Sequence, residues 1–432
     1  MTTIEAPKSL VDQLDRSFQE GLERVPVLRQ RADDQGVKEI RSLDDLVPVL
    51  FPHTVYKSYP AQLVEQGRWA QMNRWLDSVS AHRVDVDVTG VTDVDSWLDR
   101  LAGAGHLVSA SSGTTGKSSF LNKSEADLTA AHESHLRALA LGGVLPDNSW
   151  RLLSLSPGSG NIVGERTGAA LRQGFARPDA LPAFQGAPRT EGHQAYMARV
   201  TALRRALADG SADPDDVAAM EAEAADRQAE TERRLAFAAE QVLGRPDEKF
   251  LLGTMMALAW RFTETLRSLG ARPGDLTGHN AIFMAGGTKG AVLPDDAEAQ
   301  MGEMLNVPRE RFVQMYSMQE INRGMARCVE GRYHVPDGLV LLVLDEPGER
   351  LAPVSDGQVE GRAAYFDTTV DGRWGGTISG DKVRAELDGC PCGRAGTTVL
   401  PDIVRFANMA DGDKITCAGT MDAYVRGFTH DE

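Results

Sequence analysis

SASSGTTGKSS, residues 109–119, is the stretch whose reading decides the fold. Its close, Gly116-Lys117-Ser118, invites a Walker-type phosphate loop. That loop needs a further glycine five positions before Gly116, and Ser111 stands there instead. What remains is a run of hydroxyls, Ser111, Ser112, Thr114 and Thr115, set around Gly113 and Gly116 and followed by Lys117. The glycines let backbone N–H groups turn toward an anion, the hydroxyls add donors and the lysine adds charge. The plainer alternative is a Ser/Thr/Gly surface loop. A second glycine-rich stretch, GSGNIVG at 158–164, spaces its glycines wrongly for a dinucleotide fingerprint and reads as a pocket-lining loop.

The rest of the chain narrows the choice. It has 432 residues, 42% hydrophobic and 25% charged, the profile of a globular protein larger than one ordinary domain. Its formal net charge is −16, which argues against nucleic acid as a partner, because phosphate neutralisation needs a basic face. No apolar run is long enough for a membrane span, and the polar start is unlike a secretory signal. The four cysteines, all after position 327, are too few for a disulfide scaffold, so a reducing cytoplasm is the expected compartment.

Helical apolar spacing fills much of residues 9–100, interrupted by the Pro-bounded VPVLFPHTVYKSYP. An apolar strand, HLVSA, delivers the chain into the loop, and SEADLTAAHESHLRALALGG beyond it is helical. Asp213 caps a long helix to Leu243, with Pro214 in its first turn and Gly244 after its end. The acidic first half of that helix predicts a solvated arm. KFLLGTMMALAWRFTETLRSLG, from Lys249, reads as a further helix, and NAIFMAGG and GLVLLVLDEPG as buried strands. Helices alternating with short apolar strands give an α/β fold.

SSGTTGKSS resembles the phosphate loop of the adenylate-forming (acyl-AMP) superfamily, in particular the branch of phenylacetate–coenzyme A ligases and luciferase-operon acyl-protein synthetases. Ser118 and Ser119 stand where that family often has proline and lysine. FVQMYSMQEIN, 312–322, resembles the family's Tyr-Gly-x-Thr-Glu motif, with Tyr316 and Glu320 in register and Ser317 and Gln319 as departures. MAGGTKGAV, 284–292, resembles the family's turn against the adenine, through Gly286, Gly287 and Thr288. GGTISGD resembles the Thr-Gly-Asp motif, ending in Asp381. DIVRFANMADGDKI is a weaker match to the hinge, with Arg405 or Asp413 as its marker.

The resemblance implies a large N-terminal domain with mixed sheets and flanking helices, its mobile C-terminal domain reduced or absent. Residues 1–104 would be its helical N-terminal part, 105–400 the nucleotide- and acyl-binding core, and 401–432 a short remnant. It implies ATP held by Ser111, Ser112, Gly113, Thr114, Thr115, Gly116 and Lys117, by the Gly286–Thr288 turn, and by Tyr316, Asp381 and Arg405. Glu320 would hold magnesium on the phosphates, a role suited to a hard carboxylate. Asp381, acceptor-only, suits the ribose diol. Lys117, Glu320 and Thr114 would carry the chemistry. A carboxylic acid would attack the α-phosphorus, giving an acyl-adenylate and pyrophosphate, and the acyl group would pass to a thiol or an amine. The acceptor could belong to coenzyme A, a carrier or a partner protein, and a homodimer is in keeping with the family. The acid would lie against HTVYKSYP, SPGSGNIVGE and MAGGTKGAV.

Cys328 and His334 in CVEGRYH, with Cys390 and Cys392 in CPCG, make three thiolates and an imidazole, the composition of a structural zinc site. The alternative is four ordinary buried groups. Cys417 is left over, either a packed small residue or an acyl acceptor helped by Lys414. Two other classes stand beside the ligase: a nucleotide-binding protein of the same fold without catalysis, and a P-loop phosphotransferase.

Overall fold

Four apolar runs, Arg151–Ser154, Phe250–Thr254, Ala281–Ala285 and Phe312–Tyr316, lie side by side in parallel, with Leu252 opposite Ile282 and Met284 opposite Gln314. Because side chains alternate across a strand, Leu252, Ile282 and Met284 enter one hydrophobic cluster and Leu251, Ala281 and Phe283 another. The first cluster is closed by Leu235 and Val242 of the helix Pro214–Leu243, Phe262 and Leu266 of Met256–Ser268, and Met301 and Met304 of Ala297–Met304. Leu139, Trp150 and Phe175 close the second. A parallel sheet covered on both faces explains why its central strand Ala281–Ala285 is apolar throughout.

The computed structural model describes residues 6–111, 117–155, 162–179, 192–285, 292–409, 412, 413 and 415. They pack as two units. One is Met1–Ala131 with Met318–Met325 and Glu330–Glu432, the other His132–Ser317 with Ala326–Val329. The parallel sheet belongs to the second. There the long helix behaves as its sequence demands: Asp213 accepts from the Asp215 N–H at 2.9 Å, and the buried residues, Leu235, Ala239 and Val242, all lie near its end. Two expectations need correction. The stretch from Lys249 is a strand, Phe250–Thr254, followed by a helix, Met256–Ser268. Ladder bonds to strands on both sides outweigh the helical spacing of FLLGT, and Met255 is extended where the change occurs. The GSGNIVG stretch is a helix from Ile162, its first four residues lying outside those described.

The first unit is built on three long antiparallel strands, Leu339–Leu344, Gln358–Asp367 and Gly376–Glu386. Gly376–Glu386 also takes Phe51–Pro52 in parallel and Val404–Arg405 antiparallel, so four segments converge on it counting Thr398–Val399. At Gly361 a Cβ would run into the Leu344 carbonyl oxygen, so only glycine lets the strands close up just before the bulge at Arg362–Ala364. N-terminal helices pack against this sheet. Lys8–Arg24 buries Leu14 and Phe18, and the Phe18 ring meets Trp374 edge-on at 6.1 Å. Trp75, Trp97, Tyr59 and Phe120 form a second aromatic core. Each such ring contributes about 2 kcal/mol over its exposed state.

Candidate active site

The glycine loop is the mouth of a β-hairpin. Ser109–Ala110 pairs antiparallel with Phe120–Leu121, Ser109 opposite Leu121. Inside that ladder the Ser111 N–H donates to the Ser119 carbonyl at 3.0 Å, and the Ser119 N–H donates to Ser111 Oγ at 2.8 Å. A Walker loop runs from strand into helix. Here strand returns to strand, which removes the P-loop alternative. Ser111, the residue in place of the Walker glycine, works as the clasp. Ser112, Gly113, Thr114, Thr115 and Gly116 lie outside the described residues, as do Gly286, Gly287, Thr288, Lys414 and Cys417. Lys117, on the returning side, donates to the Tyr59 carbonyl at 2.6 Å, with its ammonium 4.8 Å from the centre of the Tyr59 ring. The Tyr59 hydroxyl in turn donates to the Ser118 carbonyl at 3.0 Å.

Ser109 and Ala110 are tied to the segment 318–322. Ser109 Oγ donates to Gln319 Oε1 at 2.9 Å, and Gln319 Nε2 donates to the Ala110 carbonyl at 3.3 Å. The residue that departs from the family's threonine therefore joins loop to motif. Glu320, next along, is 9% exposed. Its turn is held from two sides. Asp367 accepts from the N–H groups of Asn322 and Arg323 at 2.7 and 2.9 Å, and Arg373 Nη2 donates to the Glu320 carbonyl at 2.9 Å.

Beneath that turn lies a charge network with no counterpart in the sequence reading. Asp127, fully buried, accepts from the N–H groups of Ser124, Asp371 and Gly372 at 2.9, 3.0 and 2.9 Å, and from Asn322 Nδ2 at 2.7 Å. Arg373 Nη1 is 3.5 Å from it. Burial alone would raise the Asp127 carboxyl, but Arg373, Lys123 and the Asn322 hydrogen bond overcome this and hold it at about 2. Lys123 donates to Asn322 Oδ1 at 3.3 Å and is pushed down to about 7, chiefly by burial and further by Arg373. Asp127 was legible only as part of the polar start of a helix, and Lys123 not at all.

Asp381 sits mid-strand in Gly376–Glu386, 7% exposed and directly opposite Arg405, whose Nε is 3.2 Å from Asp381 Oδ1. The structure thus pairs the two residues expected at the ribose and the hinge. Behind them Arg362 is fully buried, donating to the carbonyls of Glu346 and Ser379 at 2.8 and 3.0 Å and to Asp413 Oδ1 at 2.8 Å. Its guanidinium lies 4.1 Å from the centre of the Phe406 ring. Asp413 is therefore anchored by a buried arginine that no motif announced. In the second unit Tyr316 ends the strand Phe312–Tyr316, half-buried.

Within the first unit Cys392 Sγ lies 3.4 Å from His334 Nε2, and Cys390 stands two residues before Cys392 in the same turn. Tetrahedral zinc would set a sulfur and an imidazole nitrogen about 3.5 Å apart, given its usual bond lengths. Burial, then Arg394 and Arg332, lowers the His334 pKa and favours the neutral ring that a metal requires. The donor set fits a zinc ion.

Neither a protein-family model nor a curated protein matches the sequence. Among solved structures the mixed α/β arrangement with flanking helices is similar in fold to that of a CoA ligase. 2-Hydroxyisobutyryl-CoA ligase in the postadenylation state, in complex with R3-HIB-AMP, matches 92% of this chain and 67% of its own, at 14% identity and a TM-score of 0.53. The same ligase with 2-HIB-AMP and CoA in the thioesterification state matches 93% and 68%, at 16% identity and a TM-score of 0.54. At such identity the likeness is one of fold. No helix among the described residues is long and apolar enough to cross a membrane.

Proposed function

We propose that this chain uses ATP to activate a carboxylic acid as an acyl-adenylate, releasing pyrophosphate, and hands the acyl group to a thiol. The observation that carries the reading is the hairpin loop whose strand is tied through Gln319 to Glu320, in one unit with Asp381 on its strand. A phosphate loop, a carboxylate for magnesium and a carboxylate for a ribose are the three groups an adenylating site needs. The fold shared with a ligase solved with an acyl-AMP, and with CoA in one case, supports the same chemistry.

In this mechanism Asp381 accepts from the ribose hydroxyls while Arg405 fixes its orientation. Glu320, almost buried on a pinned turn, fits magnesium, which when bound supplies charge neutralisation on the phosphates. Backbone N–H groups of 112–116 and the residues Gly286, Gly287, Thr288 and Tyr316 are assigned to the nucleotide on the strength of the motif. Within the superfamily, the serine- and threonine-rich loop and the cysteine set favour the phenylacetate–coenzyme A ligase and acyl-protein synthetase branch.

Purified chain, incubated with ATP, magnesium and labelled pyrophosphate, is expected to exchange label into ATP only when its acid is supplied from a panel of fatty, aryl and amino acids. Measurable ATP binding with no exchange from any acid would instead support the non-catalytic nucleotide-binding reading.

Cys328, His334, Cys390 and Cys392 would hold a structural zinc, four protein ligands leaving no open position for chemistry. Elemental analysis is expected to find one zinc per chain, lost in Cys390→Ser/Cys392→Ser together with thermal stability. A metal-free native protein of unchanged melting temperature would refute the site.

A further inference from the structure

The stem of the glycine loop carries a second tie to the turn of Glu320, at a residue outside every motif. Beyond Ser109 and Leu121 the hairpin ladder continues, with Leu107 and Lys123 exchanging both backbone hydrogen bonds at 3.2 Å. Residues facing each other across an antiparallel pair project from one face, as do residues two apart on a strand. Ser109 and Lys123 therefore leave the same face of the stem, one from each strand. Both reach the turn: Ser109 Oγ donates to Gln319 Oε1 at 2.9 Å, and Lys123 Nζ donates to Asn322 Oδ1 at 3.3 Å. Glu320 lies between the two points of attachment along the chain.

Asn322 is buried and built to receive that lysine. Its Nδ2 donates to Asp127 Oδ1 at 2.7 Å and to the Thr369 carbonyl at 3.1 Å, and its backbone N–H donates to Asp367 Oδ2 at 2.7 Å. Both partners of the amide nitrogen are acceptors, which settles the orientation of the side chain and leaves Oδ1 for a donor. Gly372 packs where this network meets the stem. A Cβ there would stand 2.7 Å from the Asn122 carbonyl oxygen and 2.9 Å from Lys123 Cα, so only glycine lets the two segments close. Backbone therefore encloses the root of Lys123 and fixes the direction in which it leaves the stem.

Lys123 is itself buried, and its one hydrogen bond among the described residues is to the neutral amide of Asn322. An ammonium is a costly way to fill that space. An aliphatic side chain of similar length would fill it without desolvating a charge. What the aliphatic chain could not do is hold Asn322, and with it the far side of the turn.

We propose that Lys123 and Asn322 are positioning residues that fix the Glu320 carboxylate relative to the phosphate loop, a role that rests on the adenylation reading above. Attached through Ser109 and Gln319 alone, the turn could pivot against the stem. A second attachment on the other side of Glu320 removes that freedom, so stem and turn are held as one body. A nucleotide whose phosphates bridge the loop and a metal on Glu320 then meets both at a set separation, with no ordering left to do on binding. Residues that never touch an ion orient its ligands in this way.

The test compares wild type with Lys123→Met, which fills the same space without the hydrogen bond, and with Lys123→Gln, which returns a neutral donor. AMP is titrated calorimetrically, as is ATP with and without magnesium, and melting temperatures are measured at pH 6. Lys123→Met is expected to melt no lower than wild type, because a buried charge has gone, and to bind AMP equally well. Its magnesium-dependent gain in ATP affinity should shrink about tenfold, and acid-dependent pyrophosphate exchange at saturating ATP should fall by a similar factor. Lys123→Gln should recover part of both. A gain preserved in Lys123→Met, or absent from wild type, overturns the proposal. A Lys123→Met protein that fails to fold, melts well below wild type or loses AMP affinity to the same extent overturns it too, because the lysine then serves stability alone. A wild type that gains ATP affinity with magnesium but never exchanges overturns the adenylation reading, while the comparison of ATP affinities still decides the role of Lys123.

Discussion

Glu320→Gln is expected to lower acid-dependent pyrophosphate exchange by about 10²–10³-fold while leaving the melting temperature within a degree or two. The two outcomes separate because the residue's duties are divided between backbone and side chain. The turn is held through the Glu320 carbonyl by Arg373 and through the N–H groups of Asn322 and Arg323 by Asp367, and glutamine keeps all of these. What glutamine lacks is the negative charge on a hard oxygen that a phosphate-bound magnesium takes. The loss should appear mainly in turnover, with a steeper dependence on magnesium concentration. Exchange at the wild-type rate would remove Glu320 from the chemistry, and a large drop in melting temperature would make it a structural residue.

The glycine loop shows how much of this could be foreseen. Counting from Gly116 to Ser111 excludes a Walker loop in the sequence, and the hairpin excludes it again by topology. Helix boundaries at Asp213 and Gly244 were legible because capping chemistry is local. The parallel strand Phe250–Thr254 was not, since a doubly covered strand shows no alternation and its helical spacing continues into the real helix. The Cys/His cluster could be read because four soft ligands in two short turns are an unusual composition. Arg362, Asp127 and Lys123 could not. Their meaning comes from partners 51, 195 and 199 residues away, and a single sequence carries no signal for contacts at that range.

Asp127→Asn is expected to cost about 3–5 kcal/mol of folding stability, and Arg373→Met distinctly less. The asymmetry follows from what each change leaves behind. Without Arg373 the Asp127 carboxylate still receives three backbone N–H groups and the Asn322 amide, enough to solvate a buried anion. Without the carboxylate, Arg373 Nη1 loses its 3.5 Å counter-charge, and neither Nη1 nor Nε has a hydrogen bond among the described residues to fall back on. Asparagine also turns an N–H₂ toward groups that are themselves donors. The double variant, with both charges gone, should lose less than the sum of the two single losses.

The pH dependence carries the same signature with opposite signs at its two ends. Asp127 is held at about 2, below its ordinary 3.8, so its contribution is complete above pH 4 and drains away as pH falls through the folded value. That limb is worth roughly 2 kcal/mol and should vanish in Asp127→Asn. Lys123, pushed down to about 7 from 10.5, sheds its proton in the fold before it would in the unfolded chain. Stability should therefore rise as pH climbs from 7 toward 10, and Lys123→Met should flatten that rise. Urea titrations of the four variants across pH 3–10 decide the matter. An Asp127→Asn protein within about 1 kcal/mol of wild type, with its acid limb intact, would mean that the charges under Glu320 are solvated by something other than each other.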